Sequence, residues 1–227
     1  MNAMYWSEDS DENKDLVVPD NVLDVIYSIS CKCIPMEHAH ALSEALQQVL
    51  PWLAEEETAG IHQVYGAESG NGWERPDTEV LYLSRRQKLT LRLPKIRLEE
   101  AKTLSGETID VGGYALKVGE FTTRKLSDLP TLFARHVLGE DGQTEDEFMA
   151  QAVTQLQAMG INVKKMMCGK ESVIHLPKGE LHARSLMLAD LELEESVKLQ
   201  EVGLGPGRTL GCGLFLPQKG IKPVNPD

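Results

Sequence analysis

The 227-residue sequence has no apolar run approaching the roughly 18 residues needed to cross a membrane. It is poor in cysteine: of Cys31, Cys33, Cys168 and Cys212, only the first two lie close together. A zinc site built from close pairs needs a second pair, so no metal site is expected and the four read as free thiols in a reducing compartment. Its first twenty residues are polar and acidic, with Glu8, Asp9, Asp11, Glu12 and Asp15, which is neither a secretory signal nor a transit peptide. The expectation is a cytoplasmic protein whose residues 1–20 form a flexible acidic tail. Positive charge is also short. Lys and Arg number 23 against 35 Asp and Glu, leaving −12, whereas nucleic-acid binders tend to be basic.

What is present is ordinary globular material, 41% hydrophobic and 26% charged, in a chain long enough for two cores of roughly 100 residues each. The charge is segregated. Acid gathers at Glu55-Glu56-Glu57, from Glu140 to Glu147 and from Asp190 to Glu201, while Arg85, Arg86, Lys88, Arg92, Lys95, Arg97 and Lys102 form a basic stretch. Because fields between exposed charges fade over about 8 Å at cellular salt, a local basic face matters more than the total. Lys88 and Arg92 stand at even spacing, so on a strand both project from one face.

Periodicity orders the elements. Val22 to Ile34 reads as a β-branched strand broken by Pro35, and Ala39, Leu42, Leu46, Val49 and Leu50 form a helical stripe ended by Pro51. Gly60 to Gly66, Leu81 to Leu83 and Lys88 to Leu93 read as strands. A loop covers Glu68 to Asp77, Arg97 to Leu104 is a short helix, and Ile109 to Gly119 is a hairpin turned at Gly112-Gly113. The second half reads as a strand from Thr131 to Leu138, a helix from Glu145 to Met159, and short strands at Asn162 to Cys168, Ser172 to Leu176 and Arg184 to Leu191. A helix from Glu194 to Val202 and a last strand near Leu214 to Leu216 follow. The predicted fold class is α+β, two tandem ferredoxin-like βαββαβ halves over residues 21–124 and 125–227.

The most unusual stretch is Gly203 to Phe215, where Gly203, Gly205, Gly207, Gly211 and Gly213 occupy five of eleven positions as two Gly-apolar-Gly triplets five residues apart. Such a loop can present N–H donors to phosphates, with Arg208 adding a bidentate contact, or it can serve a tight connection that only glycine allows. No Gly-Lys-Ser/Thr ends it, so it is not a nucleotide P-loop.

A Gly-apolar-Gly pair before the last strand of a double ferredoxin-like chain resembles the signature of the CRISPR-associated Cas-six endoribonucleases. Glu37-His38 opening the first helix, Leu50-Pro-Trp-Leu53, Gly60-Ile-His62, Leu89-Thr-Leu-Arg-Leu-Pro94 and Leu199-Gln-Glu-Val-Gly-Leu204 resemble a branch found with type I systems. The resemblance implies cleavage of CRISPR precursor RNA within repeats by attack of a 2′-hydroxyl on the adjacent phosphate. That reaction leaves a 2′,3′-cyclic phosphate and a 5′-hydroxyl, with no metal or other cofactor. It implies His38 as the catalytic histidine, with His40 the second choice. His62, His136, His175 and His182 are read as packing residues or unassigned. Many members pair the histidine with a tyrosine and a lysine. This sequence departs from them, and Tyr27, Lys32 and Ser43 are only the nearest groups at hand. RNA contacts are expected from Arg85, Arg86, Lys88, Arg92 and the glycine loop with Arg208, and more weakly from Arg124, Lys125, Lys164, Lys165, Lys170 and Lys178. The expected partners are CRISPR repeat RNA and other Cas proteins of a type I effector complex, with no membrane. Rival readings are a non-catalytic RNA-binding subunit of such a complex and, given the −12 charge, a small-molecule or assembly domain on the same fold.

Overall fold

The computed structural model describes residues 18–66 and 78–218. Most of the acidic tail and the loop expected from Glu68 to Asp77 lie outside the described residues. The first half runs β1 (Val22–Ser30), β2 (Cys33–Pro35), α1 (Ala39–Val49), β3 (Gly60–Ile61), β4 (Val80–Tyr82) and β5 (Lys88–Pro94). It continues with α2 (Leu98–Ala101) inside a helical stretch over 95–104, then β6 (Thr108–Asp110) and β7 (Ala115–Lys125). The second half runs β8 (Leu132–Leu138), α3 (Glu145–Ala158), β9 (Lys165–Leu176), β10 (Gly179–Ala189), α4 (Leu193–Val202) and β11 (Leu216–Pro217).

Two sheets result, ordered β3-β5-β1-β7-β6 and β11-β8-β10-β9, with β2 and β4 pairing separately. Every neighbouring pair is antiparallel. In each sheet the first strand lies between the third and fourth of its set and the second lies beyond the third. Both halves therefore trace the same ferredoxin-like path, with β6 added to the first.

Local chemistry sets the helix limits. The apolar stripe of α1 buries Ala39, Leu42, Ala45 and Leu46, and Pro51 leads into a short 3₁₀ turn. A Thr144–Glu147 capping box starts α3, and Gly160, at φ 75°, follows its end. The expected strand from Val22 to Ile34 splits at Cys31-Lys32, and the one from Gly60 shortens to two residues. The two short strands expected around Gly169 are one, β9, which pairs along its length with β10. A Cβ on Gly169 would meet Ser185 Oγ at 2.1 Å, so glycine here serves close packing within the hairpin rather than ending a strand.

One core fills the first half around Val25, Tyr27, Leu42, Leu46, Leu89 and Leu91, and another the second around Leu132, Phe148, Leu156, Leu186 and Phe215. Two smaller seams join residues of both halves: Val22 and Leu126 with Val197, and Ala39 with Ile174 and Cys212. Among the described residues no helix is long and apolar enough to cross a membrane.

Candidate active site

The glycine loop locks the halves together. Leu204 N–H donates to Gly213 O at 3.1 Å, and Gly213 N–H donates to His136 O on β8 at 2.7 Å. Gly213 sits at φ 65°, and a Cβ there would stand 2.3 Å from Leu204 O, so the two triplets close on one another backbone to backbone. The N–H groups of Gly203 and Gly211 are likewise spent, on Leu199 O and Arg208 O. Gly205 and Gly207 border a second cleft whose rim carries Glu55, Glu56 and Glu57, and carboxylates there oppose a phosphate. The N–H groups of Gly203, Leu204, Gly211 and Gly213 thus serve the connection itself, and Gly205 and Gly207 form its open turn.

Arg208 is engaged by backbone on both sides. Its guanidinium donates to Ala59 O at 3.2 Å, Thr58 O at 2.9 Å, Glu201 O at 3.0 Å and Val202 O, so it fastens the end of α4 to the segment before β3. Burial pulls its pKa down to about 10, which leaves it charged at neutral pH. Arg92 is wholly buried, not an RNA contact. It pairs with Asp24 through Nε at 2.9 Å, while Nη1 donates to Gln200 O at 3.0 Å and Phe215 O at 2.8 Å across the joint between halves. Arg124 donates to the other oxygen of Asp24 at 2.9 Å. Burial alone would raise the Asp24 carboxyl. Its hydrogen-bonding and charged neighbours hold it well below the usual range, and the guanidiniums dominate because His62 Nε2, at 3.8 Å, is beyond hydrogen-bond reach. Burial also pushes His62 down, so it stays neutral.

Where α1 begins, the halves leave a cleft of about 550 Å³. Its walls include Glu37, His38, Gln63 and Tyr65 from the first half, and Phe133, Arg135, His136, Lys170, Glu171 and Ser185 from the second. His38 is the N-cap residue of α1 and only 3% exposed. Its Nδ1 lies 3.0 Å from Pro35 O and 3.2 Å from Met36 O, and its Nε2 lies 3.1 Å from Val64 N. Two carbonyls require a proton on Nδ1 and the amide requires a lone pair on Nε2. These bonds fix the neutral Nδ1–H tautomer.

The other expected residues fall elsewhere. His40 lies on α1 beside Glu44 at 3.3 Å and does not line the cleft. Arg85, Arg86 and Lys88 are exposed where β4 turns into β5 and make no ion pair among the described residues. Tyr27 is buried and donates to Ala101 O at 2.8 Å, and Ser43 is buried, accepting from Gln47 at 2.8 Å. Neither is an acid for a substrate. His175 pairs with Glu180 at 3.0 Å, and His182 with Glu171 at 2.7 Å, the latter bond raising the His182 pKa. Among the described residues no group of three or more His, Cys, Asp or Glu could hold a metal.

Sequence reasoning passed over Tyr65 and Arg135. Arg135 Cζ lies 4.5 Å from the Tyr65 ring centroid and 5.9 Å from that of Phe133. Burial pushes the Tyr65 hydroxyl up, so it stays protonated. The alternation of β8 was the available signal, since Phe133 and Arg135 must share a face.

The family model described as Cas6 Crispr matches residues 23–220. A protein of Myxococcus xanthus (strain DK1622) named CRISPR-associated endonuclease Cas6 is 29% identical over 195 residues, covering 86% of this chain and 81% of that one. A solved structure titled CRISPR associated protein Cas6 superposes with a TM-score of 0.60 at 8% identity, over 87% of this chain and 100% of the other. One titled an RAMP protein binding different RNA substrates gives 0.58 at 14% identity, over 86% and 98%. The fold is shared with both, and the match of the family model over nearly the whole described length means that this chain belongs to the Cas6 family.

Proposed function

We propose that this protein is an endoribonuclease that cuts CRISPR precursor RNA within its repeats, without a metal, through the 2′-hydroxyl beside the scissile phosphate. The observation that carries the reading is a tautomer-fixed neutral histidine, His38, on the wall of a cleft large enough for a nucleotide and lined by cations of the other half. The names of relatives, an endonuclease and a protein that binds RNA, point the same way. In the reaction His38 takes the proton of the 2′-hydroxyl, O2′ bonds to phosphorus, and the P–O5′ bond breaks as O5′ gains a proton. The products are a 2′,3′-cyclic phosphate and a 5′-hydroxyl. For Nε2 to act as the base, RNA must displace the Val64 N–H from it. Arg85, Arg86 and Lys88 contact the RNA backbone outside the cleft, and other Cas proteins of a type I complex take up the product.

The burial of His38 and the engagement of both its nitrogens favour a second reading, a subunit that binds the repeat without cutting it. One experiment separates the two. A synthetic RNA of the repeat from the CRISPR array nearest the gene is incubated with the protein in EDTA, alongside His38→Ala, His40→Ala and a substrate with 2′-deoxy at the cut. Cutting by wild type and His40→Ala, slowed by at least about 10²-fold with His38→Ala and abolished by the deoxy substitution, supports the nuclease. Binding with no cut establishes the silent subunit.

A further inference from the structure

We infer that the β2–β4 ribbon is a base-reading arm, on which the exposed ring of Tyr82 stacks against an unpaired base of the repeat next to the nucleotides held in the cleft. This rests on the RNA substrate proposed above and not on the chemistry of the cut.

The alternation of the two short strands decides what each face does. Ile34 and Leu81 pair across the ribbon and are buried, so the next pair, Cys33 and Tyr82, belongs to the opposite face. Tyr82 is 66% exposed, the one aromatic among the exposed large hydrophobic side chains of the described residues. An exposed ring alone signifies little, and its surroundings give it meaning.

Those surroundings are cationic. Lys32, Arg85, Arg86 and Lys88 are exposed and make no ion pair among the described residues. In a molecule of net charge −12, no Asp or Glu occurs from residue 28 to 36 or from 80 to 88. Lys32 is held near the ring, its carbonyl accepting from Leu83 N–H at 3.0 Å. The two arginines stand at the centre of a tied turn. Gln87 N–H donates to Ser84 O at 3.2 Å, Ser84 N–H donates to Gln87 Oε1 at 2.7 Å, and Arg86 N–H donates to Ser84 Oγ at 3.2 Å. A ring for a base beside unpaired cations for phosphates is the combination that grips single-stranded RNA. Tyrosine also loses little side-chain freedom when it stacks.

The ribbon runs straight into the cleft, which favours RNA over an acidic protein as its occupant. At its end Met36 N–H donates to Glu79 O at 2.8 Å, Met36 lines the cleft, and His38 follows two residues later. Three strand steps separate Cys33, opposite Tyr82, from Met36, roughly 10 Å at about 3.3 Å per residue. RNA seated in the cleft therefore has its adjoining nucleotides within reach of the ring.

Equilibrium binding tests this, with the full chain and the repeat RNA carrying 2′-deoxy at the cut so that it stays whole. A matched set of the same RNA makes one nucleotide at a time abasic. Tyr82→Ala is expected to bind about 10-fold more weakly, and Tyr82→Phe to recover the loss, since the ring and not the hydroxyl carries the contact. In wild type one abasic position should cost about as much, and that same position should cost Tyr82→Ala nothing further. Losses that add at every abasic position, or a Tyr82→Phe as weak as the alanine variant, would overturn the inference. Full affinity in Tyr82→Ala would overturn it too and leave the ring to a protein partner. A wild type that binds and never cuts sinks the nuclease reading and leaves this one standing, whereas no binding to the repeat removes both.

Discussion

Asp24 shows how little a residue's type says about its work. In register it lies between Arg92 on β5 and Arg124 on β7, so one carboxylate on the central strand neutralises a cation from each neighbour. Its pKa is depressed in the folded protein, so the stability it contributes is present above the unfolded carboxylate value and is lost as pH falls through the folded one. Asp24→Asn is expected to cost about 3–5 kcal/mol at neutral pH, because it strands a buried guanidinium. It should also flatten the decline in stability that wild type shows below about pH 4, and urea melts across a pH series check both. Spacing put Lys88 and Arg92 on one face of a strand, and that much was legible. No local pattern could say that the second half covers the Arg92 end of that face and leaves the Lys88 end in water.

Among the elements, α1 and the glycine loop were both visible in the sequence, for different reasons. The α1 stripe is periodic, and periodicity survives tertiary context. The glycines signalled an unusual backbone, yet composition could not tell a phosphate cradle from a backbone crossing. The crossing itself shows only in contacts across the loop, such as Gly213 packed on Leu204 O. Gly213→Ala is therefore expected to cost more than Gly205→Ala. Both positions have positive φ, worth about 1 kcal/mol, but only at Gly213 would the Cβ collide with backbone. Thermal melts of the two variants decide it, and equal effects would mean that the crossing is slack. The unbroken run of β9 escaped the sequence because Gly169 reads as a breaker unless one knows that Ser185 stands opposite it. Tyr65 and Arg135 escaped for the same reason on a larger scale, since they lie far apart in a sequence read window by window.

Across the whole molecule, two repeats of one topology are joined by a handful of polar clasps, and Arg208 is the densest. Arg208→Ala would leave the carbonyls of Thr58, Ala59, Glu201 and Val202 short of a donor and should cost about 3 kcal/mol or more. Arg208→Lys should restore little of it, because one ammonium cannot reach four carbonyls. The readout is urea unfolding, expected to be a single transition in wild type and to separate into two in the variant. RNA affinity should fall with salt, and removing Arg85 and Arg86 should lower that slope by about 0.7 for each phosphate they neutralise; an unchanged slope would take the β4–β5 turn out of the interface. The clasp also sets an order of events during synthesis. Arg208 reaches back 149 residues to Ala59, and Leu214 fills the space beside Gly60. The first half can build its own core while the ribosome is still translating the second. Its cleft, however, gains its opposite wall only after β8 to β10 emerge and the glycine loop follows to lock them in place. A nascent chain stalled before the loop would carry His38 on one wall of the cleft, with the facing wall not yet fastened to it.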